Sequence, residues 1–259
     1  MPGSIASFAL QATLTDCLCR WISFSYVQDM VYRYPAGDPL HPEALKEKQR
    51  LCRDAFPTPL ALRAHRALSW LRRAEIEDAD HDVRFILLWI GFNAAYAGDV
   101  EASASSSAPE GERGLFQAFF STLVKFDGRH RVYDAVWDRF SQEIRLLLDN
   151  RYVFHPFWQH QNGVSGYADW EQRLERSRTA VKNALREHDT ARILSILFDR
   201  LYVLRNQLVH GGSTWNSDVN RDQVRDGASL LGCLLPIFVD LMMDNPHYAW
   251  PMPNYPVID

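Results

Sequence analysis

Apolar residues recur at three- and four-residue steps along most of the chain, the spacing of one buried face of an α-helix. The first stripe, Phe8, Leu10, Leu14, Leu18, Trp21, Ile22, Tyr26, Met30 and Tyr34, predicts a long helix over residues 4–34. Pro35, Gly37, Pro39 and Pro42 end it, because proline and glycine punctuate helices. A short charged helix over 42–55 follows, with Glu43, Lys46, Glu47, Lys48 and Arg50 on a solvated face. Pro57 and Pro59 bracket Thr58, which is placed to cap a helix over 59–77 with Pro59 in its first position. Leu60, Ala64, Ala67, Leu68 and Leu71 point inward there, Trp70 and Ile76 widen that face, and Arg63, Arg66, Arg72 and Arg73 point outward. Asp80 and Asp82 open the next helix, where acidic residues suit the positive end of the dipole. Its interior, Phe85 to Phe92, is apolar nearly all round, the mark of a helix at the centre of a bundle. Gly91 costs about 1 kcal/mol against alanine inside a helix, so it is expected where a neighbour comes close.

Residues 98–113, rich in serine, alanine and glycine, read as a surface loop. Helices resume over 113–126 and 130–149, then 150–167 form an aromatic, irregular loop, and 167–188 a charged amphipathic helix. A helix from 189 to 210, with Asp189 as its cap, is joined by a polar link at 213–216 to a last long helix over 217–244, which Pro236 is expected to kink. A proline-rich tail follows, with Trp250 and Tyr255 available for docking. No stretch alternates as a strand does. The fold class is therefore all-α: a helical bundle at 58–245, an N-terminal helical extension at 1–57 packing on it, and an extended tail at 246–259.

Composition narrows the picture. A chain of 259 residues, 47% hydrophobic with eight Trp and fourteen Phe, buries a sizeable core. The formal charge of −4 argues against a protein that coats nucleic acid regardless of sequence. Cys17, Cys19, Cys52 and Cys233 lack paired metal-ligand spacing and read as reduced thiols of a cytoplasmic protein. The nine His form no metal motif, so no metal and no cofactor is expected. The longest apolar run, Leu230 to Met243, contains Pro236 and Asp240 and is short for a bilayer, so no membrane association is expected.

The candidate chemistry sits at the end of the 189–210 helix. Ile193, Leu197, Leu201, Leu204 and Leu208 form its inward stripe, while Tyr202, Asn206 and His210, spaced four apart, stack on another face. Arg205 lies beside that column, and Gly211 is suited to stop the helix in the left-handed conformation. A guanidinium presents a planar fork to phosphate oxygens, and imidazole is the side chain for proton transfer near neutral pH. Together they suit metal-free cleavage of RNA, whose 2′-hydroxyl supplies the nucleophile. Asn206 is one turn from His210 and placed to orient it. Arg205 and His210 lie about 140° apart around an ideal axis, which favours two copies of the chain meeting across a two-fold axis. The structural alternative is that Arg205 is a surface ion-pair residue and His210 a cap. Asn93, on the buried helix, either bonds within the bundle or supports this site, and Tyr96 carries the same two readings. The 150–167 loop, with Arg151, either stacks bases or folds its rings over the core.

The strings LYVLRNQLVHGG and LSWLRRAEIEDADHDVRFILLWIGFNAAYAG resemble the HEPN superfamily, in particular bacterial members with an Arg-Asn-x-x-x-His signature and a Phe-Asn-Ala-x-Tyr helix. The resemblance spans roughly residues 58–245. It implies a dimerising helical bundle and, in active members, a metal-independent endoribonuclease whose catalytic residues map onto Arg205, Asn206 and His210, with Tyr202, Asn93 and Tyr96 as substrate-binding candidates. It also implies RNA and a homodimer as partners, with a partner protein or antitoxin in a bacterial defence or toxin-like system. Members without cleavage activity imply the alternative of an RNA- or nucleotide-binding or protein-interaction module.

Overall fold

A computed structural model describes residues 31–97, 108–253 and 255. Met1–Val31 form one unit and Tyr32–Asp259 the other. The long N-terminal helix expected over 4–34 lies almost wholly outside the described residues; at 31–34 the backbone is non-helical. Among the described residues there are ten α-helices and no strand. They are α1 (Pro42–Cys52), α2 (Thr58–Ile76), α3 (His81–Tyr96), α4 (Ala108–Phe126), α5 (Arg131–Asp134), α6 (Ser141–Asp149), α7 (His155–Gln161), α8 (Trp170–Glu187), α9 (Thr190–Val209) and α10 (Arg221–Asp244).

α10 is the axis of the bundle. Every residue from Gly227 to Met243 is buried, with α2, α3, α4 and α9 all packed against it. The stretch Asp218–Asp244 is long and apolar enough to cross a membrane, and 89% of its apolar window is covered by the other helices. Gly91 of α3 admits α10 and α2 as its position predicted: a Cβ there would lie 2.9 Å from Leu235 Cδ2 and 3.4 Å from the Ala67 carbonyl. Gly227 does the same in reverse, with Phe85 Cε2 2.8 Å from where its Cβ would stand. Where α3, α4, α9 and α10 meet, Phe92 lies 4.4 Å from Phe198 between ring centroids, Phe120 4.7 Å from Phe198, and Phe238 5.6 Å from Phe120. Rings at these spacings add edge and offset attraction to the area they bury.

Several expectations are corrected. α4 begins at Ala108, so the loop read over 98–113 is shorter than its composition suggested. The helix read over 130–149 is interrupted: a π-turn occupies Ala135–Arg139 and Phe140 leaves helical geometry at φ −119° before α6 starts. Thr58 does not cap α2; Pro57 takes that position and Thr58 is already helical. Trp70 and Ile76 do not extend the buried face, being 38% and 74% exposed.

The largest correction is Arg63. Rather than facing water it is 1% exposed. It donates to the carbonyls of Ala95 at 2.8 Å, Pro251 at 2.7 Å and Met252 at 3.2 Å. Burial, and then the charge of Arg66, lowers its pKa to about 10. Three carbonyl acceptors replace the water it gave up. The C-terminal segment is thereby drawn onto the bundle, and Trp250, 6% exposed, packs on Phe119 and Phe126 as a docked ring. Tyr255 stays 88% exposed.

Candidate functional site

α8 and α9 form an antiparallel hairpin. His188 closes α8 in the left-handed region (φ 53°) and Asp189 caps α9, its side chain accepting from the Arg192 N–H at 3.0 Å. Ile193, Leu197, Leu201 and Leu204 are fully buried, so the inward stripe of α9 is as its spacing predicted, with Leu208 only half-buried. The helix ends in a complete Schellman motif. Gly211 sits at φ 69°, its N–H bonds the Leu208 carbonyl at 3.3 Å, and the Gly212 N–H bonds the Gln207 carbonyl at 2.7 Å. His210 is therefore held at the last position before the chain turns, its own N–H bonded to the Asn206 carbonyl, with its side chain exposed.

The Arg205 side chain resolves part of the angular problem. Its Nη1 donates to Asn206 Oδ1 at 2.8 Å, which turns the guanidinium toward the column of Tyr202, Asn206 and His210. Asn206 thus positions Arg205. Orientation of His210 by Asn206, the role its spacing suggested, is absent, since no described residue hydrogen-bonds the His210 ring. Tyr202 is half-buried, with its ring centroid 6.2 Å from that of Trp89.

Asn93 and Tyr96 lie elsewhere. Trp89 meets Tyr202 while Phe92, further along α3, meets Phe198, earlier on α9, so the two helices run antiparallel. Each step from Trp89 toward Tyr96 leads away from His210. Asn93 is half-buried. Tyr96 stacks on Phe92 at 4.7 Å and, with Arg63 and Trp250, lines a separate cavity of about 120 Å³.

Sequence reasoning missed Gln207. Its Nε2 donates to the Tyr152 carbonyl at 2.7 Å, and Trp158 Nε1 donates to the same oxygen at 2.7 Å. The segment read as an irregular loop contains a 3₁₀ turn (Arg151–Val153) and α7. Phe154 and Phe157 are buried with Leu174, and Trp158 and Trp170 pack on them. Most of its rings thus fold over the core. Tyr152 is the exception at 49% exposed, with the Arg151 guanidinium 4.9 Å from its ring centroid.

Among the described residues no group of three or more His, Cys, Asp and Glu side chains is arranged to hold a metal ion. Compared with known protein families, curated proteins and solved structures, the chain matches none.

Proposed function

We propose that this chain is a metal-independent endoribonuclease of the HEPN type that works as a two-fold dimer. The observation that carries the reading is the Arg205–Asn206 hydrogen bond, one helical turn before an exposed His210 at a rigidly terminated helix end. In the proposed reaction the 2′-hydroxyl of the RNA attacks the adjacent phosphorus. One His210 takes the hydroxyl proton, and the bond from phosphorus to the 5′-oxygen breaks as that oxygen gains a proton from the second His210. Arg205 balances the charge that builds on the phosphoryl oxygens. Val209 and Trp215, 49% and 73% exposed beside the cap, provide apolar surface for the second copy to cover.

A panel of labelled single-stranded and structured RNAs, assayed with chelator present, tests this. Cleavage should persist, leave 2′,3′-cyclic phosphate and 5′-hydroxyl ends, and spare DNA. His210→Ala should lose about 10²–10⁴-fold in rate, and Arg205→Ala a comparable amount. Light scattering at micromolar concentration should report a dimer. Abolition by chelator, or cleavage that survives both substitutions, refutes the mechanism.

A second reading, a non-catalytic bundle that binds RNA, a nucleotide or a partner protein, draws on one observation: no described residue of the same chain orients the His210 imidazole. Failure to cleave any RNA, with the protein folded and dimeric, would favour it.

A further inference from the structure

The polar column of α9 does not begin at Tyr202. Arg192, Ser195 and Asp199 precede it at steps of three and four, and on an ideal helix all six side chains from Arg192 to His210 fall within a sector of about 80°. Every one of them is exposed or half-buried, so the stripe faces away from the core. At its far end lies a cleft of about 520 Å³, walled mainly by α8 and α9 with Gly114 and Gln117 of α4 and Phe154 and Pro156 at its edge. That is the size of an ordinary ligand site.

Four guanidinium groups line this cleft: Arg173 and Arg176 from α8, Arg192 and Arg200 from α9. The one carboxylate on its wall, Asp199, is itself engaged in an interaction. Arg200 is 2% exposed and held in place, with Nη2 on Ser177 Oγ at 2.8 Å and its guanidinium 4.5 Å from the Phe154 ring centroid. Arg173 is fixed by Asp169 at 2.7 Å and the Gly166 carbonyl at 2.8 Å. Arg176 reaches Asp169 only at 3.4 Å and is 69% exposed, and the exposed Arg192 side chain has no partner among the described residues. Two arginines are thus anchored and two are available, an arrangement matched to phosphate oxygens. The segment from Tyr152 to Phe154 runs beside the stripe from the level of Gln207 to that of Arg200, walling one flank and offering the exposed Tyr152 ring.

We propose that this cleft is a second phosphate-binding site, which holds the backbone of the same RNA strand that passes Arg205 and His210. The proposal rests on the reading of the chain as one that acts on RNA. The eighteen helical rises from Arg192 to His210 span about 27 Å. A single strand that keeps stacked spacing, about 3.4 Å per nucleotide, reaches both ends with about eight nucleotides, and an extended strand with fewer.

The test uses the full chain carrying His210→Ala, so that bound RNA stays intact, with and without Arg176→Gln plus Arg192→Gln. Both added substitutions are on exposed side chains, and a thermal melt verifies folding. Fluorescence anisotropy is read with a labelled 12-nucleotide oligouridylate, a 4-nucleotide one, and ATP as competitor. The double substitution should weaken 12-mer binding about 2- to 30-fold near 0.1 M salt, as the loss of two exposed charge contacts. It should lower the slope of log K against log salt by about 1.4, and weaken the 4-mer, which can bind at either end of the stripe alone, less than the 12-mer. Equal 12-mer affinity and slope, or no measurable 12-mer binding, overturns the proposal. So does ATP binding that depends on the two arginines while the 12-mer does not, which would assign the cleft to a soluble nucleotide. Arginine-dependent 12-mer binding in a chain that, with His210 intact, cleaves no RNA sustains the cleft and rejects the proposed catalysis.

Discussion

Replacing Asn206 separates a positioning role from a catalytic one. The Arg205 guanidinium ends a flexible side chain on a half-buried stretch of α9, and among the described residues its one anchor is Asn206 Oδ1 at 2.8 Å. A hydrogen bond from a charged donor contributes about 1.5–3 kcal/mol, and this one, half-exposed and competing with water, falls at the lower end. At 1.4 kcal/mol per factor of ten, Asn206→Ala should slow RNA cleavage about 10-fold, less than the loss expected for His210→Ala. Asn206→Asp is the informative companion. A carboxylate would hold the guanidinium more firmly and set a negative charge beside the phosphate, so its loss should exceed that of Asn206→Ala. The assay is single-turnover cleavage of one RNA by wild type and the three variants, with helical content and melting temperature measured alongside. Two results would refute the reasoning: Asn206→Ala as damaging as His210→Ala, or Asn206→Asp milder than Asn206→Ala.

Arg63→Met leaves the buried Ala95 carbonyl without its donor and frees two partly exposed ones. A loss of about 2–5 kcal/mol is expected by urea denaturation, with quicker proteolysis of the segment around Trp250. Gly227→Ala drives a Cβ to within 2.8 Å of the buried Phe85 ring; overpacking of about 1–3 kcal/mol should outweigh the gain in helix propensity, read as a lower denaturation midpoint. Burial foremost, with Glu143 and Asp222 adding to it, raises the Asp226 pKa against the pull of Arg225. A carboxylate raised in the fold binds protons more readily there than unfolded, so stability falls as pH climbs above the ordinary carboxylate value. Asp226→Asn should therefore raise the melting temperature at pH 7 and leave it unchanged in acid below that value, in paired thermal melts.

Much of α9 was legible because its information is local. The stripe from Ile193 to Leu204 follows from period, and the cap from two glycines after His210. The Arg205–Asn206 bond was not legible: adjacent helical side chains point about 100° apart, and only the reach of arginine closes that angle. Arg63 was misread for a different reason. An arginine between Leu62 and Ala64 on a helix looks solvated, and its burial depends on carbonyls supplied from position 251 and beyond, 188 residues away. The π-turn at 135–139 hid because the stripe of Tyr133, Val136 and Phe140 runs through it unbroken in sequence. The arginine cleft needs the turn at His188 to fold α8 back along α9, which brings Arg176 and Arg192 to one wall.

That α10 is the axis sets the timetable of biosynthesis. A ribosome adds about 5–20 residues each second, so α3 is complete on the order of ten seconds before α10 emerges. For that interval the notch at Gly91 has α2 on one side but lacks Leu235, and the ring of Phe85 lacks Gly227. The nascent chain should depend on chaperones most heavily in this window. Slower synthesis would lengthen the exposure, and cooling would at the same time weaken the hydrophobic attraction between unfinished chains.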